Sequence, residues 1–141
     1  RWGSPGTIAK GARAIEAFAR AHGVDLMAND GSGLSYANRV TVMGIVDLLE
    51  YAETQPWGAT LREVLPKGGQ GTLAGRFTDV RLRAKTGTLD EISALSGWVW
   101  LERVGDWAEF SILSKGITKT HSMQLENAIV NVVNANATPP A

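Results

Sequence analysis

The stretch "RLRAKTGTLDEISALSGWVW", Arg81 to Trp100, decides the fold. From Val80 to Thr86 the side chains alternate with period two, and a Lys-Thr-Gly-Thr cluster ends the run. A second run, Ser93 to Glu102, places Leu95, Val99 and Leu101 on one parity and Trp98 and Trp100 on the other, so both of its faces are predicted to be covered. It reads as the central strand of an antiparallel sheet. A third run covers Trp107 to Ser114, and "RVGD" (Arg103 to Asp106) supplies a hairpin turn before it. The strands are therefore predicted over 80–86, 93–102 and 107–114.

Upstream the period is helical. Ser4 followed by Pro5 is an N-cap and first-turn signal, and Ile8, Ala12, Ile15 and Ala19 share a face up to Gly23, predicting a helix over 5–22. Val24 and Leu26 suggest a very short strand before the turn-rich "NDGSG" of Asn29 to Gly33. Thr41 can cap a helix over 41–53 with Val42, Ile45, Val46, Leu49 and Ala52 at core spacing. A shorter helix over 58–65 stops at Pro66, "KGGQG" is a connection, and "TLAGRF" suggests one or two further helical turns. A last helix over 122–136 has Leu125, Ile129, Val132 and Val133 as its predicted buried stripe, and "ATPPA" frays off as a tail. The fold class is α/β of the α+β kind, an antiparallel sheet flanked by helices.

Whole-chain properties exclude more than they assign. A chain of 141 residues with 44% hydrophobic content can bury the core of one domain. Fourteen basic residues balance fourteen acidic ones, so no charge bias points to nucleic acid or an anionic membrane. The absence of Cys excludes disulfides and thiolate chemistry, and no apolar run is long enough to suggest a membrane span. Starting at Arg1, two residues before "GSPGT", the chain reads as an interior piece of a longer polypeptide.

Two polar clusters can carry chemistry, "DGSGLS" at Asp30 to Ser35 and "KTGT" at Lys85 to Thr88. The first alone reads as a turn in which glycines supply positive φ. The second is predicted to end a strand, with Thr88 beginning the turn, so a cation and hydroxyls gather where Gly87 lets a ligand approach the backbone. Strict alternation puts Lys85 with Arg81 and Arg83, and Thr86 with Leu82 and Ala84, on opposite faces. Both serve one cleft only if the Lys85 stem reaches around the strand, and a solvated basic face accounts better for Arg81 and Arg83. His22 and His121 are isolated helix-end or surface residues, Trp98 and Trp100 read as core, and Asp90 and Glu91 form an acidic turn. No metal-ligand spacing occurs, and no cofactor is implied.

The order "DGSGLS", helices, "AKTGT", a Trp-rich hairpin, "LSKG" and a terminal helix resembles the C-terminal part of the low-molecular-mass class C penicillin-binding proteins, the serine D-Ala-D-Ala carboxypeptidases and endopeptidases of peptidoglycan. The resemblance implies a β-lactamase/transpeptidase-like fold, incomplete because the N-terminal part is absent, and an extracytoplasmic location. That superfamily uses Ser-x-x-Lys for the nucleophile and its base, Ser-x-Asn for a proton relay, and Lys-Thr-Gly to hold the substrate. None of Ser4, Ser32, Ser35, Ser93, Ser96, Ser111, Ser114 and Ser122 has a lysine three residues later, so no catalytic nucleophile of the family type is present. Ser35-Tyr-Ala-Asn38 is one residue too long for the second motif.

By resemblance, Lys85, Thr86 and Gly87 hold the carboxylate of a terminal D-Ala or a penicillin, and Thr88 offers a backbone N–H to the oxyanion. Ser32 and Leu34 line the cleft, and Tyr36 stands where members often carry an Arg that contacts the substrate. The implied partners are an N-terminal portion carrying the other two motifs, peptidoglycan peptides ending in D-Ala-D-Ala, and β-lactams. The chain alone is expected to be inactive. A non-catalytic wall-peptide or protein-binding module and a β-lactamase-related fragment are the alternatives.

Overall fold

The computed structural model describes residues 4–136 and Thr138. The start of the chain and, Thr138 apart, the "ATPPA" tail lie outside them. The chain divides into two compact units, Arg1–Tyr51 and Ala52–Ala141.

In the first unit, helix α1 runs Ile8–Ala21. Its cap is Thr7 and not Ser4: Thr7 is extended (φ −139°, ψ 156°), and its hydroxyl accepts the Lys10 N–H at 3.1 Å. A hydroxyl three residues before an orphan N–H satisfies it directly, which Ser4 is too far upstream to do. The expected strand at Val24 and Leu26 is reduced to one bridge, in which Met27 and Arg39 exchange backbone hydrogen bonds of 2.9 Å. That bridge closes the neck of the loop between them. Helix α2, Val42–Glu53, begins at Thr41 as expected, with the Thr41 hydroxyl accepting the Gly44 N–H at 2.9 Å.

In the second unit, α3 covers Gly58–Val64 and ends before Pro66. The further helical turns expected in "TLAGRF" shrink to a single 3-10 turn, Gly71–Leu73. Left-handed backbone at Gly75 (φ 73°) and Phe77 (φ 58°) stops any longer helix. The sheet follows, with β1 at Leu82–Leu89, β2 at Ile92–Leu101 and β3 at Asp106–Lys115, antiparallel in the order β1-β2-β3. Helix α4, Lys119–Asn136, closes the chain and starts earlier than expected because the Thr118 carbonyl already accepts the Ser122 N–H at 2.9 Å.

The central position of β2 and the hairpin after it are as expected, but the turn covers residues 102–105, one residue earlier than "RVGD", because Asp106 already pairs with Leu101. Strand β1 differs: Thr88 pairs with Ser93 and Leu89 with Ile92, so Thr88 lies within the strand and Asp90–Glu91 form the turn. Gly97 makes the close approach of β1 and β2 possible. A Cβ there would fall 2.1 Å from the Arg83 carbonyl oxygen and 2.7 Å from the Ala84 Cα.

One face of the sheet is the core: Leu82, Ala84, Leu95 and Val99 pack with Leu73, Phe77 and Val130. Burying each Leu or Val contributes about 1.5–3 kcal/mol. The predicted stripe of α4 is wrong. Leu125, Ile129, Val132 and Val133 are exposed, and the buried residues are Ser122, Glu126 and Val130. The reason lies in the sheet, whose core face turns polar at its far end, where Ser93 stands beside Ser114. Ser114 and Ser122 hydroxyls meet at 2.9 Å, and Ser93 donates to Glu126 Oε1 at 2.6 Å. Arg76, itself buried, pairs with Glu126 Oε2 at 2.7 Å, so the buried carboxylate is both hydrogen-bonded and neutralised. Hydrogen-bond complementarity therefore outweighs hydrophobic periodicity along α4.

Candidate functional site

The lysine-threonine cluster sits on an edge strand, and backbone alternation determines what that edge presents. Ala84 donates its N–H outward to the Pro66 carbonyl at 3.0 Å. In an antiparallel strand main-chain groups alternate in direction, so Thr86 and Thr88 also turn their N–H and C=O groups to that edge. No backbone pairing of the described residues takes these up. Thr88 is exposed, while Thr86 and Gly87 are half-buried. A ligand can thus reach both strand and backbone.

Lys85 belongs by register to the face opposite Thr86, alongside Ser96 of β2. Its ammonium nevertheless donates to the Thr86 carbonyl oxygen. The long stem brings the charge around to the open edge, which reconciles the alternation with a shared site. Behind Lys85, the Ser96 and Ser111 hydroxyls bond at 2.9 Å.

The rest of the basic face is exposed at Arg81, as the alternation predicts, and half-buried at Arg83. The Arg81 guanidinium lies 4.2 Å from the Trp100 ring and 4.8 Å from that of Trp107. Arg83 pairs with Glu63 and donates to the carbonyls of Glu63 and Leu65 at 3.2 and 3.4 Å. Trp98 is fully buried, as expected, while Trp100 is half-buried and meets Trp107 edge to face at 5.7 Å. A hollow of about 590 Å³ lined by Glu63, Lys67, Asp79, Arg81, Arg83 and Trp107 lies at the Leu82 end of β1, and none of Lys85 to Thr88 lines it.

The "DGSGLS" residues gather in the first unit on a loop organised by one carboxylate. Asp30 accepts hydrogen bonds from the Ser32 hydroxyl (3.0 Å), the Gly33 and Ser35 N–H groups (3.1 and 2.9 Å) and the Asn38 amide (2.8 Å). These bonds, the Asn38 amide first among them, hold its pKa below the ordinary carboxylate range. Asn38 Oδ1 accepts in return from the Asn29 N–H at 2.7 Å. Leu34 and Tyr36 remain 67% and 53% exposed, with the Tyr36 carbonyl accepting from Arg39 at 2.5 Å. Ser35 and Asn38 thus bind the loop itself, unlike the side chains of a proton relay. His22 bonds the Phe18 carbonyl through Nδ1 at 2.7 Å, as a helix-end histidine does.

Ser93 does meet a lysine: Lys119 donates to its hydroxyl at 2.8 Å. With 2% exposure and a void of only about 30 Å³ beside it, Ser93 cannot receive an acyl donor. Buried Ser93, Arg76 and Glu126, joined by half-buried Lys119, form a network that the sequence does not announce. Arg76 and Glu126 are fifty positions apart. The available signal was local to α4, where Ser122, Glu126 and Val130 recur every four residues.

Residues 1–136 match the family model described as D-Ala-D-Ala carboxypeptidase 3 (S13). The chain belongs to this family. Its relatives include the D-alanyl-D-alanine carboxypeptidase of Actinomadura sp., 39% identical over 88% of this chain, and carboxypeptidase DacB of Mycolicibacterium smegmatis, 37% identical over 64%. The chain spans 25% and 22% of the length of these two proteins. The crystal structure of penicillin binding protein 4 from Haemophilus influenzae superposes with a TM-score of 0.80 at 25% identity, covering 94% of this chain and 33% of that one. A second structure of that protein holds a β-lactam and gives a TM-score of 0.79 at the same identity, over 94% of this chain and 35% of that one. A class A β-lactamase from Bacteroides cellulosilyticus shares the fold, with a TM-score of 0.64 at 20% identity, over 92% of this chain and 53% of that one. This S13 chain therefore shares the fold of the third of penicillin binding protein 4 on which it superposes, and carries its own Lys-Thr-Gly cluster on strand β1.

Proposed function

We propose that this chain is the substrate-binding portion of a serine D-Ala-D-Ala carboxypeptidase or endopeptidase that acts on peptidoglycan peptides on the cell-wall side of the membrane and is acylated by penicillins. The carrying observation is the open edge of β1, where Thr86 and Thr88 present backbone groups and the Lys85 ammonium lies against the Thr86 carbonyl.

In this reading Lys85 and Thr86 hold the carboxylate of the terminal D-Ala, and Gly87 leaves the approach free of a side chain. The carbonyl of the preceding D-Ala then lies at the Thr88 N–H, which stabilises the oxyanion formed on attack by a serine. Ser32, Leu34 and Tyr36 are assigned to substrate contact as well, and Asp30 holds their loop in one shape. The serine, its lysine and the relay come from an N-terminal portion with Ser-x-x-Lys and Ser-x-Asn. Two surfaces of the second unit suit that portion. Strand β3 is a sheet edge, and α4 exposes Leu125, Ile129, Val132 and Val133 as a contiguous apolar stripe.

Labelled penicillin tests the proposal. The full-length polypeptide should form a covalent adduct on a serine outside residues 1–141, and this chain alone should form none. A full-length polypeptide that takes up no label would favour the non-catalytic module. An adduct on this chain alone would overturn the assignment of the nucleophile to the N-terminal portion.

A further inference from the structure

The outer edge of β1 is closed on one side of Lys85 and open on the other. The segment following α3 crosses it: Pro66 accepts the Ala84 N–H at 3.0 Å, and Lys67 forms an antiparallel bridge with Arg83. Arg83 holds this crossing in place through its pairing with Glu63 and its bonds to the Glu63 and Leu65 carbonyls. Beyond Lys85 the next outward-facing positions, Thr86 and Thr88, have no such cover.

The direction of a bound peptide follows from the proposed roles. Its reacting carbonyl lies at Thr88 and its carboxylate at Lys85, so it runs antiparallel to β1 with its C-terminus toward Leu82. The residue after the scissile bond then lies beside Thr86. Any residue after that would need the edge of Arg83 and Ala84, where Pro66 and Lys67 already make the main-chain contacts. Lengthening the peptide by one residue therefore sets it against backbone, which has little room to yield.

We propose that Pro66–Lys67, clamped by Arg83, is an edge stop that determines the specificity of the site, admitting only substrates whose free carboxylate belongs to the residue immediately after the scissile bond. This rests on the carboxypeptidase reading above and names the residues that set its leaving-group selectivity.

The test compares three peptides on the full-length polypeptide: one ending in D-Ala-D-Ala, its C-terminal carboxamide, and the same peptide extended by a glycine. The carboxamide removes the charge with little added bulk, whereas the glycine adds a residue against the stop. For the wild type, kcat/KM should fall from the free acid to the carboxamide and fall on the order of tenfold further for the glycine-extended peptide. Arg83→Ala should narrow the carboxamide-to-glycine gap severalfold while leaving the acid-to-carboxamide ratio unchanged. Glu63→Gln, a milder change, should act in the same direction and serves if Arg83→Ala does not fold. Equal kcat/KM for the carboxamide and glycine peptides in the wild type would overturn the edge stop alone. A gap that neither variant narrows would overturn Pro66–Lys67 as its cause. Wild-type protein that releases no D-Ala from the free acid would overturn the carboxypeptidase reading, and the stop with it.

Discussion

The two polar clusters of this chain look alike in sequence and behave oppositely in structure. The Asp30 loop turns its hydrogen-bonding groups inward: one carboxylate takes a hydroxyl, two backbone N–H groups and a side-chain amide. The Lys85–Thr88 strand leaves its outward N–H groups at Thr86 and Thr88 unpaired by backbone. The difference separates a loop whose polar groups are used to hold its own shape from a strand whose main-chain groups are left for a ligand. Closed hydrogen bonds stabilise a loop without recognising anything, whereas open ones on a rigid strand are ready for a ligand.

The contrast can be broken from either side. The largest effect is expected beneath the open cluster. Replacing Glu126 with Ala leaves the Arg76 guanidinium buried without its carboxylate, which should cost about 3–5 kcal/mol. A urea titration of the variant against the wild type measures it. Because Ser93 stands opposite Thr88 and loses its acceptor in this variant, the β1–β2 end should also lose amide-exchange protection first.

Lys85→Ala should leave the fold unchanged and slow acylation of the full-length polypeptide by penicillin about a hundredfold, the scale of a lost charge-assisted contact of about 2–3 kcal/mol. Stopped-flow acylation alongside a melting curve separates the two readouts. A penicillin rate unaffected by the change would move Lys85 from the binding edge to the surface.

The closed cluster should respond to pH instead. Asp30 has a lowered pKa, so it binds fewer protons folded than unfolded between its two pKa values. Its contribution to loop order is therefore complete above the ordinary carboxylate pKa and is lost as pH falls through the lowered one. Protection factors for the Gly33 and Ser35 amides should drop in that acid window while those of β2 hold. The smallest effect is expected at Thr7→Ala, which removes the cap of α1 at a cost of about 1 kcal/mol, readable as a small decrease in melting temperature.

Much of this architecture was legible because it follows from local periodicity. The alternation of Val80–Thr86 and of Ser93–Glu102, with the hairpin at "RVGD", places three antiparallel strands in the right order with β2 at the centre. The ends of the strands were less legible. Thr88 reads as the first residue of a turn, and only its pairing with Ser93 puts it in β1. Helix α4 was misread because Leu125, Ile129, Val132 and Val133 form a better apolar stripe than the one that is buried. A hydrophobic period cannot report that the opposing face carries Ser93 and Ser114. The clamp between Arg83 and Glu63 was hidden for a similar reason, since its partners are twenty residues apart and Arg83 alternates like an exposed basic residue.

By itself the sequence determined the α+β class, the strand order, the two polar clusters and the absence of a Ser-x-x-Lys nucleophile from residues 1–141. These depend on residue type and near-neighbour spacing. Only the tertiary structure decided which of β1's main-chain groups face outward, that Pro66 and Lys67 close half of that edge, and that the Lys85 ammonium reaches the half left open. The first two depend on pairing between residues distant in the chain, and the third, a contact between adjacent residues, lies at an open edge only because β2 occupies the other one; alternation along a single strand leaves the identity of each neighbour undefined.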